Sequence, residues 1–153
     1  MKPKGFTFIE LIVTVAIFSV AVSAILNSFG QLNQNQVINK NTELVATILR
    51  EARSLTLASR GGNQYGAHLE SSQVVLFRGS VYSSSDPDNI YYPLNTLGNI
   101  SVITLAGGGS DVVFDRLTGD TSQSGTINLS LIADPSSTRT ITISGTGLIE
   151  TGL

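Results

Sequence analysis

Hydrophobic side chains run almost without interruption from Phe6 to Phe29, and Glu10 is the one ionisable group inside that run. Between Leu11 and Leu26 there is no charge at all. Twenty-four helical residues at ~1.5 Å each reach roughly 36 Å, enough to cross the ~30 Å hydrocarbon core of a bilayer with some tilt. The run therefore predicts a transmembrane helix. Beyond Gly30 the chain turns polar (Gln31-Leu32-Asn33-Gln34-Asn35-Gln36), yet no proline occurs between Lys4 and Asp86, so nothing forces the helix to stop. Leu44, Val45, Ile48, Leu49, Ala52 and Leu55 recur at three- and four-residue steps and predict an amphipathic continuation with Glu43, Arg50, Glu51 and Arg53 around it. An end near Ser59 to Gly62 is expected, where Arg60 suits the negative end of the helix dipole and Gly61-Gly62 permits a left-handed exit.

From Gln64 onward the pattern changes to short β-prone runs separated by Gly, Ser, Asn, Asp and Pro, which predicts antiparallel sheet. Gln64 to Glu70 and Gln73 to Gly79 flank Ser71-Ser72 as a hairpin. Ile100 to Leu105, Val112 to Phe114, Thr126 to Ile132 and Thr138 to Ser144 supply further strands, with Gly107-Gly108-Gly109 and Asp134-Pro135-Ser136-Ser137 as turns. Ile127, Leu129 and Leu131 share one strand face, as do Ile141 and Ile143, so both strands can cover the amphipathic helix. Ser83 to Pro93, holding Asp86-Pro87-Asp88-Asn89, is expected as an exposed loop. The fold class is α+β: residues 1–5 as a leader, 6–29 as a membrane-spanning half-helix, 30–60 as its amphipathic half and 61–153 as a β-rich domain.

Charge settles orientation. Lys2 and Lys4 precede the apolar run and the next basic residue is Lys40, so the positive-inside bias puts the N-terminus in the cytoplasm and the bulk of the chain outside. A carboxylate inside an apolar span costs a few kcal/mol unless paired, so Glu10 needs a partner or a function.

The segment Gly5-Phe6-Thr7-Phe8-Ile9-Glu10, a short basic leader ending in glycine before an apolar helix, resembles the N-terminus of type IV pilins and type II secretion pseudopilins. The resemblance implies cleavage by prepilin peptidase between Gly5 and Phe6, N-methylation of Phe6, and pairing of Glu10 with the N-terminal amine of a neighbouring subunit. Such pairing is physically sound, because opposite charges in low dielectric offset each other's desolvation. The competing reading of the same stretch is a secretory signal peptide cut after Val22-Ser23-Ala24. Many pilins carry a proline late in the apolar half, where this chain reads Leu26-Asn27-Ser28.

The later segments Arg50-Glu51-Ala52-Arg53, Tyr65-Gly66-Ala67-His68-Leu69, Phe114-Asp115-Arg116-Leu117-Thr118-Gly119 and Ser144-Gly145-Thr146-Gly147 are similar to those of H-type minor pseudopilins and FimT-type minor pilins. That implies a structural filament subunit whose partners are prepilin peptidase, other pilin or pseudopilin subunits and the inner membrane. The alternative is a binding module, a DNA-uptake or adhesive minor pilin. FimT-type proteins that capture DNA carry arginines after the late glycine, where this chain has Leu148-Ile149-Glu150.

Other chemistry finds little support. The chain has 153 residues, a net charge of −2 and basic residues scattered along it, so bulk electrostatics do not point to nucleic acid. Tyr65, Tyr82, Tyr91 and Tyr92 lack the interleaved Arg or Lys of a base-stacking surface. There is no cysteine and one histidine, His68, which is expected on a partly exposed strand. No hydrolase motif occurs, and Gly107-Gly108-Gly109-Ser110-Asp111 lacks the Lys-Ser/Thr ending of a phosphate loop. Asp86, Asp88 and Asn89 offer oxygens but no calcium-ligand spacing. The expectation is no catalysis, no cofactor, no metal and no small-molecule substrate.

Overall fold

The computed structural model of the chain describes residues 5, 7–58 and 62–152, with the side chains of residues 24–33 outside the described set. The chain divides into two compact units, Met1–Asn35 and Gln36–Leu153. Helix α1 (Phe8–Leu57) contributes to both. Its backbone remains helical through Gly30, as the absence of a proline predicts. The last helical bond among the described residues, from Ala58 N–H to the Ser54 carbonyl, is 2.9 Å. The expected exit through Arg60 and Gly61 lies outside the described residues, while Gly62 does adopt a left-handed φ of 73°.

Within the second unit, the helical segment from Gln36 buries Val37, Ile38, Val45, Ala46, Ile48, Leu49 and Ala52. The expected stripe is thus present, flanked by half-buried Leu44 and Leu55, and it begins two turns earlier than the aliphatic pattern suggested. The polar residues Asn41, Thr42 and Thr56 extend the same face, and each has a partner. Thr42 and Thr56 donate to helical carbonyls four residues back. Asn41 Oδ1 accepts the Asn95 N–H at 2.9 Å while its amide group donates to the Asn95 carbonyl. A buried amide is tolerated here because both of its ends are satisfied.

The first sheet contains β1 (Tyr65–Leu69), β2 (Gln73–Arg78), β3 (Ile90–Pro93) and β5 (Asp111–Val113) in the order β3-β2-β1-β5. The second contains β4 (Gly98–Leu105), β6 (Gly125–Leu131), β7 (Thr138–Ile143) and β8 (Ile149–Gly152) in the order β4-β6-β7-β8. All pairings are antiparallel. Ala67, Leu69, Val74, Leu76 and Val112 from the first sheet join Ile127, Leu129, Leu131, Ile141 and Ile143 from the second in one core with the helical segment. The alternation read from the sequence therefore names the correct faces.

Two elements differ from the sequence expectation. Ile90–Pro93 is not loop but strand β3, in register with β2 through Val75↔Tyr91 and Val74↔Tyr92. Ile90, Tyr91 and Tyr92 are strand formers, and Pro93, which has no N–H, is accommodated because β3 is an edge. Strand β8, which has no counterpart in the expected set, pairs with β7 through Ile143↔Ile149 and buries Ile149. Four residues with one apolar anchor carry too little periodicity to be seen in sequence.

Candidate functional site

The first turn of α1 carries a reciprocal pair. The Glu10 N–H donates to Thr7 Oγ1 at 3.3 Å, and both the Thr7 N–H and the Thr7 hydroxyl donate to Glu10 Oε2, at 3.4 and 3.3 Å. This is a capping box, in which a threonine at the N-cap and a glutamate three residues on satisfy each other's orphan backbone donors. A negative side chain is also favoured at this end of the helix dipole. The carboxylate of Glu10, the anomaly of the apolar run, is therefore occupied within its own chain. Gly5, two residues before the box, is exposed, and apart from its chain neighbours nothing lies within 4 Å of where a Cβ would stand. Phe6, the expected methylation site, lies outside the described residues, as do residues 1–4 of the expected leader.

Thr7 is the residue whose role the sequence reading missed. The signal was present, since Thr7-Phe8-Ile9-Glu10 has the Ser/Thr-x-x-Glu spacing of a capping box ahead of an apolar run. Replacing Thr7 with valine keeps the side-chain shape and removes the hydroxyl from the box. We expect amide exchange at Glu10 in the detergent-solubilised chain to accelerate about fivefold, the equivalent of ~1 kcal/mol for a lost N-cap, with Thr7→Ser retaining protection.

Three of the later segments singled out in the sequence, around Arg53, Gly119 and Thr146, meet at one joint in the second unit. Arg53 Nε donates to the Gly119 carbonyl at 3.0 Å, and Arg53 Nη2 donates to the Thr146 carbonyl at 3.2 Å. Gly147 sits against this joint with φ of 71°, and a Cβ there would overlap the Gly119 carbonyl oxygen. One turn back, Arg50 donates to the Ile149 carbonyl at 3.4 Å and to Glu43 at 3.2 Å. The arginines of the helix thus cap the carbonyls of two loops and of the last strand. Their groups are engaged in holding the fold together.

His68, from the fourth such segment, is half-buried on the outer face of the first sheet beside Asp111, with its Nδ1 2.5 Å from the carboxylate. Burial pushes the neighbouring Tyr82 hydroxyl above its ordinary range, with Tyr91, Glu70 and Asp111 adding to the effect. Of the residues considered for calcium, Asp86 Oδ1 accepts the Asp88 N–H at 2.9 Å and Asp88 pairs with Arg78 at 2.5 Å, while the Asn89 amide group donates to the Ser83 carbonyl at 2.8 Å and its Oδ1 is buried with no hydrogen-bond partner. No group of three or more His, Cys, Asp or Glu placed to hold a metal ion occurs among the described residues.

Residues 1–26 match the family described as the prokaryotic N-terminal methylation motif. This is the prepilin-type signal, and it supports a type IV pilin-like protein that is processed by prepilin peptidase, assembles with other pilin subunits and associates with a membrane. No curated protein and no solved structure matches the chain. Among the described residues, no helix is long and apolar enough to cross a membrane. The part of the apolar run with described side chains, residues 7–23, is seventeen residues long, short of the ~20 a span needs. The rest of the twenty-four-residue run falls on Phe6 and residues 24–29, outside that set.

Proposed function

We propose that this chain is a structural, minor subunit of a type II secretion pseudopilus or a related type IV pilus, of the H-type and FimT-type kind. It is held in the inner membrane with its N-terminus cytoplasmic until assembly. Prepilin peptidase cuts between Gly5 and Phe6, Phe6 is N-methylated, and Glu10 receives the new amine of a neighbouring subunit. The chain performs no catalysis. One observation carries this reading: the methylation motif over residues 1–26 coincides with a helix whose first turn presents Glu10. The apolar run, the lysines before it and the helix-backed β unit support it.

The capping box gives the assembly step a physical form. Thr7 holds the Glu10 carboxylate while no neighbour is present, which lowers the cost of keeping it in an apolar setting. An arriving amine brings a full positive charge, so it competes well against a neutral hydroxyl and a backbone N–H. Mass spectrometry of the mature protein tests the first step. We expect a terminus at methylated Phe6, and a terminus at Ile25, after the signal-peptide-like Val22-Ser23-Ala24, would overturn the proposal.

A further inference from the structure

The outer face of the first sheet is not bare. Val75 and Phe77 point away from the shared core, yet both are almost completely buried. Gly66 is the cross-strand partner of Phe77, and a Cβ on it would stand 2.5 Å from the Phe77 ring, so the glycine leaves the space the ring lies in. Cover for Phe77 comes from the strap of residues 79–89, which links β2 to β3. Tyr82 of the strap lies against Phe77 with ring centroids 5.5 Å apart and stacks on His68 at 3.9 Å and 10°.

His68 is held from three sides. Its Nδ1 faces Asp111 of β5 at 2.5 Å, its Nε2 faces Glu70 just beyond β1 at 3.8 Å, and the Tyr82 ring covers its plane. Tyr91 of β3 stands beside Tyr82. Arg78, at the end of β2, is paired with Asp88 of the strap. From β2, the strand neighbour of His68 is the apolar Val75. Both carboxylates only accept, and Asp111 is within hydrogen-bond distance where Glu70 is not, so the neutral imidazole places its single hydrogen on Nδ1 toward Asp111. The bare Nε2 then faces a second acceptor. Protonation puts a donor toward Glu70 and a positive charge under the Tyr82 ring, strengthening two contacts at once.

We propose that His68 is a proton-operated latch for the strap: charged, it fastens Tyr82 over the sheet, and neutral, it loosens the strap and uncovers Phe77. Histidine is the side chain whose charge responds most readily to pH near neutrality. The latch acts on the second unit alone and does not depend on how the N-terminus is processed.

Hydrogen exchange on the full chain in detergent micelles tests this, comparing peptides from residues 79–89 at pH 5.5 and pH 8 after correction for intrinsic rates. We expect the strap to be about threefold better protected at pH 5.5, as suits a cation–π contact and a partly exposed ion pair, with β6 peptides unchanged. His68→Gln should abolish the difference. Equal corrected protection at the two pH values, or a difference retained in folded His68→Gln, overturns the proposal. Should His68→Gln fail to fold, Glu70→Gln decides: a reduced difference supports the latch, and an unchanged one overturns it.

Discussion

Glu10→Ala is expected to leave cleavage at Gly5–Phe6 largely intact and to reduce filament incorporation at least tenfold. The substitution leaves the glycine and the residue after it untouched, while it removes the only carboxylate in the apolar run. Loss of the capping box costs about 1 kcal/mol at the helix start, too little to unfold a fifty-residue helix. Loss of the acceptor for a neighbour's amine is larger, because a charge left unpaired in low dielectric costs several kcal/mol. Glu10→Gln should behave like alanine in assembly while keeping part of the box, since its amide oxygen still accepts. Quantifying sheared filaments against total processed protein separates the two effects, and normal incorporation of Glu10→Ala would sink the pairing mechanism.

The largest stability effect is expected at Gly147. With φ of 71° the position disfavours any L side chain, and the added methyl would overlap the Gly119 carbonyl and stand 2.7 Å from Arg53 Nε. Relieving the overlap displaces the arginine from the Gly119 and Thr146 carbonyls together, so strain and lost hydrogen bonds add. We expect Gly147→Ala to destabilise the protein by about 3–5 kcal/mol, read as a fall in the thermal midpoint by circular dichroism. Gly107→Ala is the matching control: its φ of 82° is equally left-handed, but no atom lies within 4 Å of the new Cβ. It should cost about 1 kcal/mol, the conformational penalty alone.

What was legible in advance follows from the range of the interactions. The helix declares itself through local periodicity, and the inward faces of β6 and β7 through alternation at Ile127, Leu129, Leu131, Ile141 and Ile143. Strand β3 was hidden because Asp86-Pro87-Asp88-Asn89 is a strong local turn signal, and the pairing with β2 that overrides it is a tertiary fact. The division into two four-stranded sheets was equally hidden, since nothing local states which hairpin lies beside which. At the N-terminus the Gly5-Phe6 junction and Glu10 stood out as an anomaly of charge in an apolar run. Thr7, a small polar residue in a motif, acquired a role only once its bonds to Glu10 were visible. Arg53 read as a helix-surface charge because its acceptors, Gly119 and Thr146, lie 66 and 93 residues away.

Strand β5 is closed on its outer side by side chains rather than by another strand. The Val113 N–H, on the edge away from β1, donates to Gln123 Oε1 at 3.1 Å, and the Thr121 hydroxyl donates to the Val113 carbonyl at 2.7 Å. The opposite border of the same sheet finishes on Pro93, which has no N–H to lend. Sideways recruitment of a strand from another copy therefore finds no ladder to begin on at β5 and a truncated one at β3. Copies of this chain that meet along either border of the first sheet are therefore hindered from knitting into one continuous sheet there.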